Sequence, residues 1–451
     1  MEGCRRSSLY LSDMVYVHDW PKHIRTVGWV GFLKLEWQNK RQCWALTLVP
    51  GTPFRSQKRY RRKPNPISAK LPAEDAPGVS ILRPLRGLDL ELGENLRSSF
   101  EQQYPKFEII FSVASTDDPA IPVVQRGTEA DVQTGDRQIG INPKVNNMVE
   151  SYRTAKYDIV WILDSNVHVD RDTLGRSVDM LMQPGIGLVH HLPVAVLPSS
   201  YAAEIEHVFL DTNHAKMYLA INAVGVASCV MGKSNLYRRS DLDRVGGLEA
   251  FANYMAEDNI IGEALWGMGL RHCMSADSAC QVLGRLSPLE YCRRRARWVR
   301  IRKYIVTAAT LTEPFTESIV CGVMGAWGSY VLFGISFWAF FGIHWLAWFL
   351  NDYALYRILV ATSSFRSRRV TQPTCSQQPV RFLRFCRAWL AREILALPLY
   401  LYAMFGTEIL WRDQSYRCLS DGTAVAMPPK ATCLSDITTS LLSEIEYDKV
   451  Q

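Results

Sequence analysis

The sequence has no C-x-x-C pair among its 11 cysteines, no N-x-[ST] sequon, no G-x-G-x-x-G and no H-E-x-x-H. The first absence excludes a zinc ribbon and argues against a disulfide framework; scattered thiols fit a reducing, cytosol-facing location. The missing sequon points the same way, and the missing glycine pattern speaks against a dinucleotide fold. Gly232-Lys233-Ser234 imitates the end of a phosphate loop, but the glycine needed five positions earlier is Ala227, so that reading fails. His190-His191 belongs to no evident zinc set. With 28 glycines and 22 prolines the chain is not collagen-like, and 48% hydrophobic content excludes disorder. The 451 residues suit two or three folded units. The balance of 51 basic against 44 acidic residues gives +7, too mild by itself to imply a nucleic-acid partner.

Charge is missing in one place above all. From Ser318 to Asn351, 34 consecutive residues contain no Asp, Glu, Lys or Arg. One membrane crossing needs roughly 20 apolar residues, so this run predicts one long helix or two short ones turned near Gly342 and His344. A second apolar stretch, Ile394–Thr407, is flanked by Arg392, Glu393 and Glu408 and is short for a crossing; an interfacial position suits it. Between the two lie Arg357, Arg366, Arg368, Arg369, Arg381, Arg384 and Arg387 without an acid among them, which places that loop in the cytosol. Near the N-terminus, Val27–Trp37 and Cys43–Pro50 are apolar but too short to span. Arg55–Lys63 holds six basic residues in nine positions before Pro64 and Pro66, and reads as a flexible basic linker, resting on anionic lipid or simply solvated.

From Pro77 the pattern changes to short apolar runs alternating with helical spacing. Val79–Leu82, Phe107–Ala114, Tyr157–Leu163 and Ile186–His190 read as strands; Leu88–Phe100, Asn146–Lys156 and Asp172–Met182 read as helices. Such alternation predicts an α/β domain with a mostly parallel sheet covered on both faces.

In an open α/β sheet, ligands bind beyond the carboxyl ends of the strands. Two predicted strands end there in carboxylates: one leads to Asp117 and Asp118, the other into Asp164. Either aspartate also suits an N-cap for the next helix, though two in one sheet favour shared ligand work. A third acidic site, Glu257-Asp258, opens the run Ile260–Leu265, where a cap is again the plain alternative. Further on, Arg293, Arg294, Arg295, Arg297, Arg300, Arg302 and Lys303 fall within eleven positions around Trp298. A solvated or lipid-facing basic helix is the bland reading of that segment.

Taken in order, an aspartate pair, a strand-terminal Asp, an E-D pair and R-x-x-R-W resemble the membrane-bound, family-2-type glycosyltransferases with the nucleotide-sugar-binding GT-A fold. Pro77–Gly87, Asp117–Ile121, Gly140–Asn147, Trp161–Ser165, Leu188–His190, Thr212–His214, Gly246–Leu248, Ala256–Asp258 and Arg294–Trp298 narrow the resemblance to ceramide glucosyltransferases. It covers about 77–312, and more weakly extends to about 424. The division it suggests is an N-terminal region with linker (1–76), a GT-A-like domain (77–312), membrane helices with the basic loop (313–424) and a tail (425–451). The family usually opens with a transmembrane helix, which this N-terminus does not clearly show. The stretch 123–140 is short for the helix and strand expected there, and 247–258 is compact.

The resemblance implies transfer of glucose from UDP-glucose to the primary hydroxyl of ceramide, with inversion, at a Golgi or endoplasmic reticulum membrane and on its cytosolic side. It implies Asp258 as general base, and Asp118, Asp164 and Lys144 on the nucleotide-sugar side, with Asp164 holding Mg²⁺ or Mn²⁺. Arg294 and Arg297 suit the diphosphate, Trp298 offers a flat face, and His214 and Cys229 lie near the donor. For His214 and Cys229 ordinary core packing is the competing reading. Two other functions stay open at this point: a related polysaccharide synthase, and a catalytically inactive membrane scaffold.

Overall fold

The computed structural model describes residues 59–60, 63–126, 131–225, 227–363, 365, 382–411 and 414–428. Val27–Trp37, Cys43–Pro50, most of the Arg55–Lys63 stretch, Arg366, Arg368, Arg369 and Arg381, and the tail beyond 428 lie outside these residues.

The domain is built on β1 (Val79–Leu85), β2 (Phe107–Val113), β3 (Asp131–Thr134) and β4 (Ile159–Leu163). Every residue of β1 and β4 is buried, as expected of strands covered on both faces. The sheet continues through β5 (Val167–His168), β6 (Ile186–Pro198), β7 (Ser234–Arg238) and β8 (Arg271–Gly284), in the order β3-β2-β1-β4-β7-β6-β8-β5. β1 runs parallel to both β2 and β4, with Val79 opposite Phe107 on one side and Ile159 on the other. The chain steps outward through β2 and β3, then returns to add β4 on the far side of β1. That reversal makes a crevice at the carboxyl ends of β1 and β4. The sheet is mixed: β7 is antiparallel to both its neighbours and β5 to β8, while β6 and β8 are parallel.

On one face α1 (Leu92–Phe100) and α4 (Thr173–Leu181) set Leu96, Leu174 and Val178 against Ile81 and Trp161. On the other, α3 (Pro143–Thr154) and α7 (Glu257–Gly267) set Val145, Met148, Ile261 and Leu265 against Leu82 and Ile162. Each fully buried side chain of this size contributes about 1.5–3 kcal/mol. The helix and strand that 123–140 seemed too short to hold are both present, in reduced form: α2 (Ala120–Gln125) and β3. α5 (Tyr201–Phe209) passes through a π turn (Leu210–His214) into α6 (Ala215–Val224), and the turn rotates His214 relative to a regular helix.

The described end of the basic stretch is docked, which corrects the expectation of a free linker there. Tyr60 is buried among Leu192, Val194, Tyr218 and Leu359, and Lys63 pairs with the buried Asp277 at 2.9 Å. Burial of the ring and a buried carboxylate partner outweigh the solvation that six basic residues suggest.

The C-terminal part also differs from expectation. α8 (Pro288–Ile305), opened by a Ser287/Glu290 capping box, is followed by α9 (Ser318–Phe333), α10 (Phe337–Thr362) and α11 (Phe382–Phe405). The turn between α9 and α10 falls at Gly334, whose φ of 65° is left-handed, while Gly342 lies inside α10. The stretch expected to be short and interfacial is a 24-residue helix, α11, the one helix among the described residues long and apolar enough to cross a membrane. The charges that made it look short face inward: Arg392 Nη2 meets Glu317 at 2.7 Å and Arg392 Nη1 meets Glu393 at 2.5 Å. On α10, Asp352 is buried between Lys216 and the Trp389 indole, 2.9 Å away. The outward faces carry Trp327, Phe333, Trp338, Ile343 and Phe405, all mostly exposed.

Apart from the exposed Arg293, the basic residues of α8 are tethers rather than a solvated face. Arg300 donates to the Glu408 carbonyl at 2.6 Å, and Lys303 to the Met404 and Gly406 carbonyls at 2.9 and 2.6 Å, which satisfies the open end of α11 with positive charge. A small antiparallel sheet follows, β9 (Glu408–Trp411), β10 (Gln414–Cys418) and β11 (Ala424–Ala426). Its Ile409, Tyr416 and Ala424 pack on Met255, just ahead of α7.

Candidate active site

The crevice is assembled by four elements. Asn142 caps α3, its side chain accepting from the Lys144 and Val145 amides at 2.8 and 3.3 Å, with Pro143 in the first turn. A cap of this kind is worth about 1 kcal/mol and fixes the first turn that carries Lys144. Lys144 Nζ then reaches Asp164 Oδ1 at 2.9 Å, Glu257 Oε1 at 3.1 Å and the Gly232 carbonyl at 3.1 Å. Asp164 follows β4 directly. Because Leu163 pairs with Ser234 in the antiparallel ladder, Lys233 falls beside Asp164 and donates to Oδ2 at 2.7 Å. Glu257 is fixed from a second side by Asn142 Nδ2 at 2.8 Å.

Asp118 lies across the β1 loop. Its carboxylate accepts from the Gly87 amide at 2.9 Å and from the Ala120 amide at 2.9 Å, which ties the β1 loop to the start of α2, whose N-cap position is Pro119. The same loop is tied on its other side by Ser165 Oγ to Asp89 at 2.5 Å. Asp118 and Asp164 thus flank one short segment, while Asp117 stays exposed at the turn.

Asp258 occupies the first turn of α7 beside Gly232. A methyl on Gly232 would come within 3.0 Å of its Oδ2, so any larger residue there would push the Asp258 carboxylate aside by a few tenths of an ångström. Burial, then the neighbouring Glu257 charge, pushes the Asp258 carboxyl up to about 7, against the pull of Lys144. Asp164 moves the other way: although burial opposes it, Lys144 and Lys233 hold it well below the usual carboxylate range. One crevice therefore contains a permanently ionised carboxylate and one poised near neutrality.

Arg294 and Arg295 are held by Glu206, a fully buried carboxylate on α5, at 2.8 and 3.5 Å. Burial lowers Lys233, and the guanidinium of Arg294 facing it lowers it further. Arg295 lies 4.3 Å from the centroid of the Trp298 ring, which meets His214 edge to face at 5.9 Å. His214 stacks on Tyr218 at 5.7 Å, and burial together with Arg295 and Arg302 drives it down to about 3, so it is neutral. Cys229, pushed up to about 12 chiefly by burial, remains a thiol. Both belong to an aromatic wall beside the charged cluster. Arg297 turns toward the small sheet, 5.9 Å from the Trp411 ring centroid, away from its helix-mate Arg294.

Lys233 and Glu206 escaped the sequence reading. Lys233 was hidden in a failed phosphate-loop pattern, and only the antiparallel β4–β7 pairing reveals it. Glu206 had no motif around it; an acid on an apolar helix was the available signal.

The fit to a divalent cation rests on two oxygens. Lys233 Nζ is shared by Asp164 Oδ2 at 2.7 Å and Asn166 Oδ1 at 3.3 Å, so an ammonium stands where two oxygens converge on positive charge. Among the described residues no cluster of three or more His, Cys, Asp or Glu gathers at one point. This suits an ion completed by phosphate oxygens better than an all-protein cage.

A crevice at the reversal of a mostly parallel sheet, lined by Lys144, Lys233 and Arg294 and containing two carboxylates of opposite tuning, defines a GT-A-type glycosyltransferase site. The chain belongs to glycosyl transferase family 21, whose family model matches residues 44–424. It is similar to the ceramide glucosyltransferase of Komagataella phaffii, 37% identical, with 82% of this chain and 86% of that one covered. The ceramide glucosyltransferase of Candida albicans is 32% identical over 78% of this chain and 88% of its own. Ceramide glucosyltransferase 1 of Caenorhabditis elegans is 31% identical over 77% and 72%. Among solved structures, a Pyrobaculum calidifontis mannosyltransferase in complex with GDP-Man and Mn²⁺ is 16% identical, with 85% of this chain and 98% of that one covered, at a TM-score of 0.44.

Proposed function

We propose that this chain transfers glucose from UDP-glucose to the primary hydroxyl of ceramide, inverting the anomeric carbon. The observation that carries the reading is Asp258: half-buried, tuned to about 7 and set beside the Lys144–Asp164 pair. Inversion in a single displacement needs one base on the face opposite the leaving group. Asp258 accepts the hydroxyl proton as the C–O bond forms, a contribution on the order of 10²–10⁴-fold. Lys144, Lys233 and Arg294 stabilise the negative charge that grows on the departing diphosphate, and guanidinium suits phosphate oxygens in pairs. Asp118 orders the β1 loop on the nucleotide side.

Mg²⁺ or Mn²⁺ bound with the donor would be held by Asp164 and Asn166, and supplies charge neutralisation at the diphosphate. The acceptor stays in its bilayer, since each buried CH₂ is worth about 0.8 kcal/mol. The exposed apolar faces of α9, α10 and α11 support a site at the membrane surface. The basic residues between α10 and α11 support a cytosolic orientation, at a Golgi or endoplasmic reticulum membrane. The test is Asp258→Asn: UDP-glucose still binds, while turnover falls by about 10²-fold or more. Normal turnover in that variant refutes the assignment.

A further inference from the structure

By length α11 could cross a bilayer, since its 24 residues extend about 36 Å. A crossing would set its two ends on opposite sides of the membrane. Both are instead tied to the domain that carries the crevice. At the start, Arg384 reaches Glu204 of α5 at 3.7 Å, and Tyr201 donates to the Arg387 carbonyl at 3.1 Å. The same α5 carries Glu206, the anchor of Arg294. At the far end, α8 holds the Met404, Gly406 and Glu408 carbonyls, and β9–β11 follow at once. That sheet packs on Met255, and the Ala424 amide donates to the Asn253 carbonyl at 3.2 Å, shortly before Asp258. The chain before α11 and the chain after it therefore lie on the side of the active site.

Between its ends α11 runs alongside α8 in the same direction. Tyr291 shares one apolar cluster with Phe385 and Ala388, and Val299 shares another with Tyr400 and Ala403. The α9–α10 hairpin roots at the middle of α11, where Ser318 donates to Glu393 and the Trp345 ring meets Trp389 at 5.1 Å. The face turned away from α8 is apolar and uncovered. Leu383, Leu390, Ile394, Leu397, Leu401 and Phe405 are all exposed, Phe405 at 88%. Their spacing gathers them on one stripe within roughly 80° of helical arc. Arg387 near its start and Tyr402 near its end are exposed beside it. A stripe this long is a contact surface rather than chance exposure, and at its midpoint it adjoins the exposed apolar faces of the hairpin.

We infer that α11 does not cross the membrane but lies flat on the cytosolic leaflet. Its stripe sits among the upper acyl chains, with Arg387 and Tyr402 at the level of the lipid phosphates. A free interfacial helix turns its other face to water; this one turns it to α5 and α8. The helix that carries Arg294 and Trp298 is thereby held parallel to the lipid surface. The inference rests on the reading of a site at the membrane surface.

The test places a nitroxide, carried on an encoded non-natural side chain, at Leu383, Leu390, Ile394, Leu401 or Phe405 of the full chain in phosphatidylcholine liposomes. Trp327, midway along α9, serves as the reference position. Relaxation by oxygen and by a water-borne nickel chelate gives each depth, and circular dichroism melts matching wild type certify each labelled chain. The expected result is one level for all five positions, about 5–10 Å below the phosphates, with Trp327 deeper. A gradient that peaks at Ile394, about 15 Å deep with both ends shallow, is a crossing and overturns the inference. So does water contact at all five, or shielding from both relaxing agents, which would mean that a second copy of the chain covers the stripe. Water contact at Trp327 as well would refute the membrane reading with it. The depths need no turnover: level depths in a chain that makes no glucosylceramide keep α11 in the plane and refute the function reading alone.

Discussion

Lys144 sets its ammonium 2.9 Å from the carboxylate of Asp164, so the first turn of α3 and the end of β4 meet at one charge. The same nitrogen holds Glu257, and through it the segment that carries Asp258. A single side chain links the donor side of the crevice to the base.

Lys144→Met removes that link. Breaking a buried pair by deleting one partner costs roughly 3–5 kcal/mol. The variant is expected to melt lower and lose about 10²-fold in kcat/KM, the scale of one preorganised charge contact. Without Lys144 the Asp258 proton is bound more tightly, so the acid limb of the pH profile moves upward. A profile of unchanged midpoint would detach Lys144 from Asp258.

The wild-type pH dependence follows from the same group. Asp258 works ionised and is tuned to about 7, so kcat/KM rises with pH and is half-maximal near that value in the free enzyme. The stability sign is opposite. Burial, then Glu257, raises its folded pKa above the unfolded one, so its contribution is whole below the unfolded pKa and is lost as pH rises through about 7. Asp258→Asn is therefore expected to be more stable than wild type at pH 8, by up to about 4 kcal/mol, and no more stable at pH 4. Thermal melts at the two pH values check this.

Lys233→Met frees Asp164 and Asn166 from the ammonium that bridges them. Mn²⁺ should bind the donor-free variant at least fivefold more tightly than wild type, read by electron paramagnetic resonance without any turnover. Equal affinity would mean that Lys233 does not stand on the ion's position.

Glu206→Gln leaves Arg294 and Arg295 without their buried counter-charge. The expected result is a KM for UDP-glucose raised about tenfold, one misplaced phosphate contact, with kcat reduced less. A variant that loses kcat alone would place Glu206 in the chemical step.

Much of the site was legible because strand-terminal acids are rare and have few reasons to exist. Asp118, Asp164 and Asp258 each stood at a boundary between apolar periodicities, and the structure gathers Asp164 and Glu257, the neighbour of Asp258, around Lys144. Lys233 was not legible, since an antiparallel strand inserted after β4 is a long-range pairing that no local pattern announces. α11 was misjudged for a related reason. Arg392 and Glu393 interrupt its apolar run, and only their burial against Glu317 and each other shows that they belong within a helix. Likewise Arg300 and Lys303 looked like solvated charge because the carbonyls they cap lie a hundred residues away.

The most direct test is the product itself. Membranes bearing the full chain, given labelled UDP-glucose and ceramide, should form a glucosylated ceramide whose linkage is β by proton magnetic resonance, inverted from the α-linked donor. A product of α linkage, or labelled glucose that never becomes lipid-linked, would contradict the account.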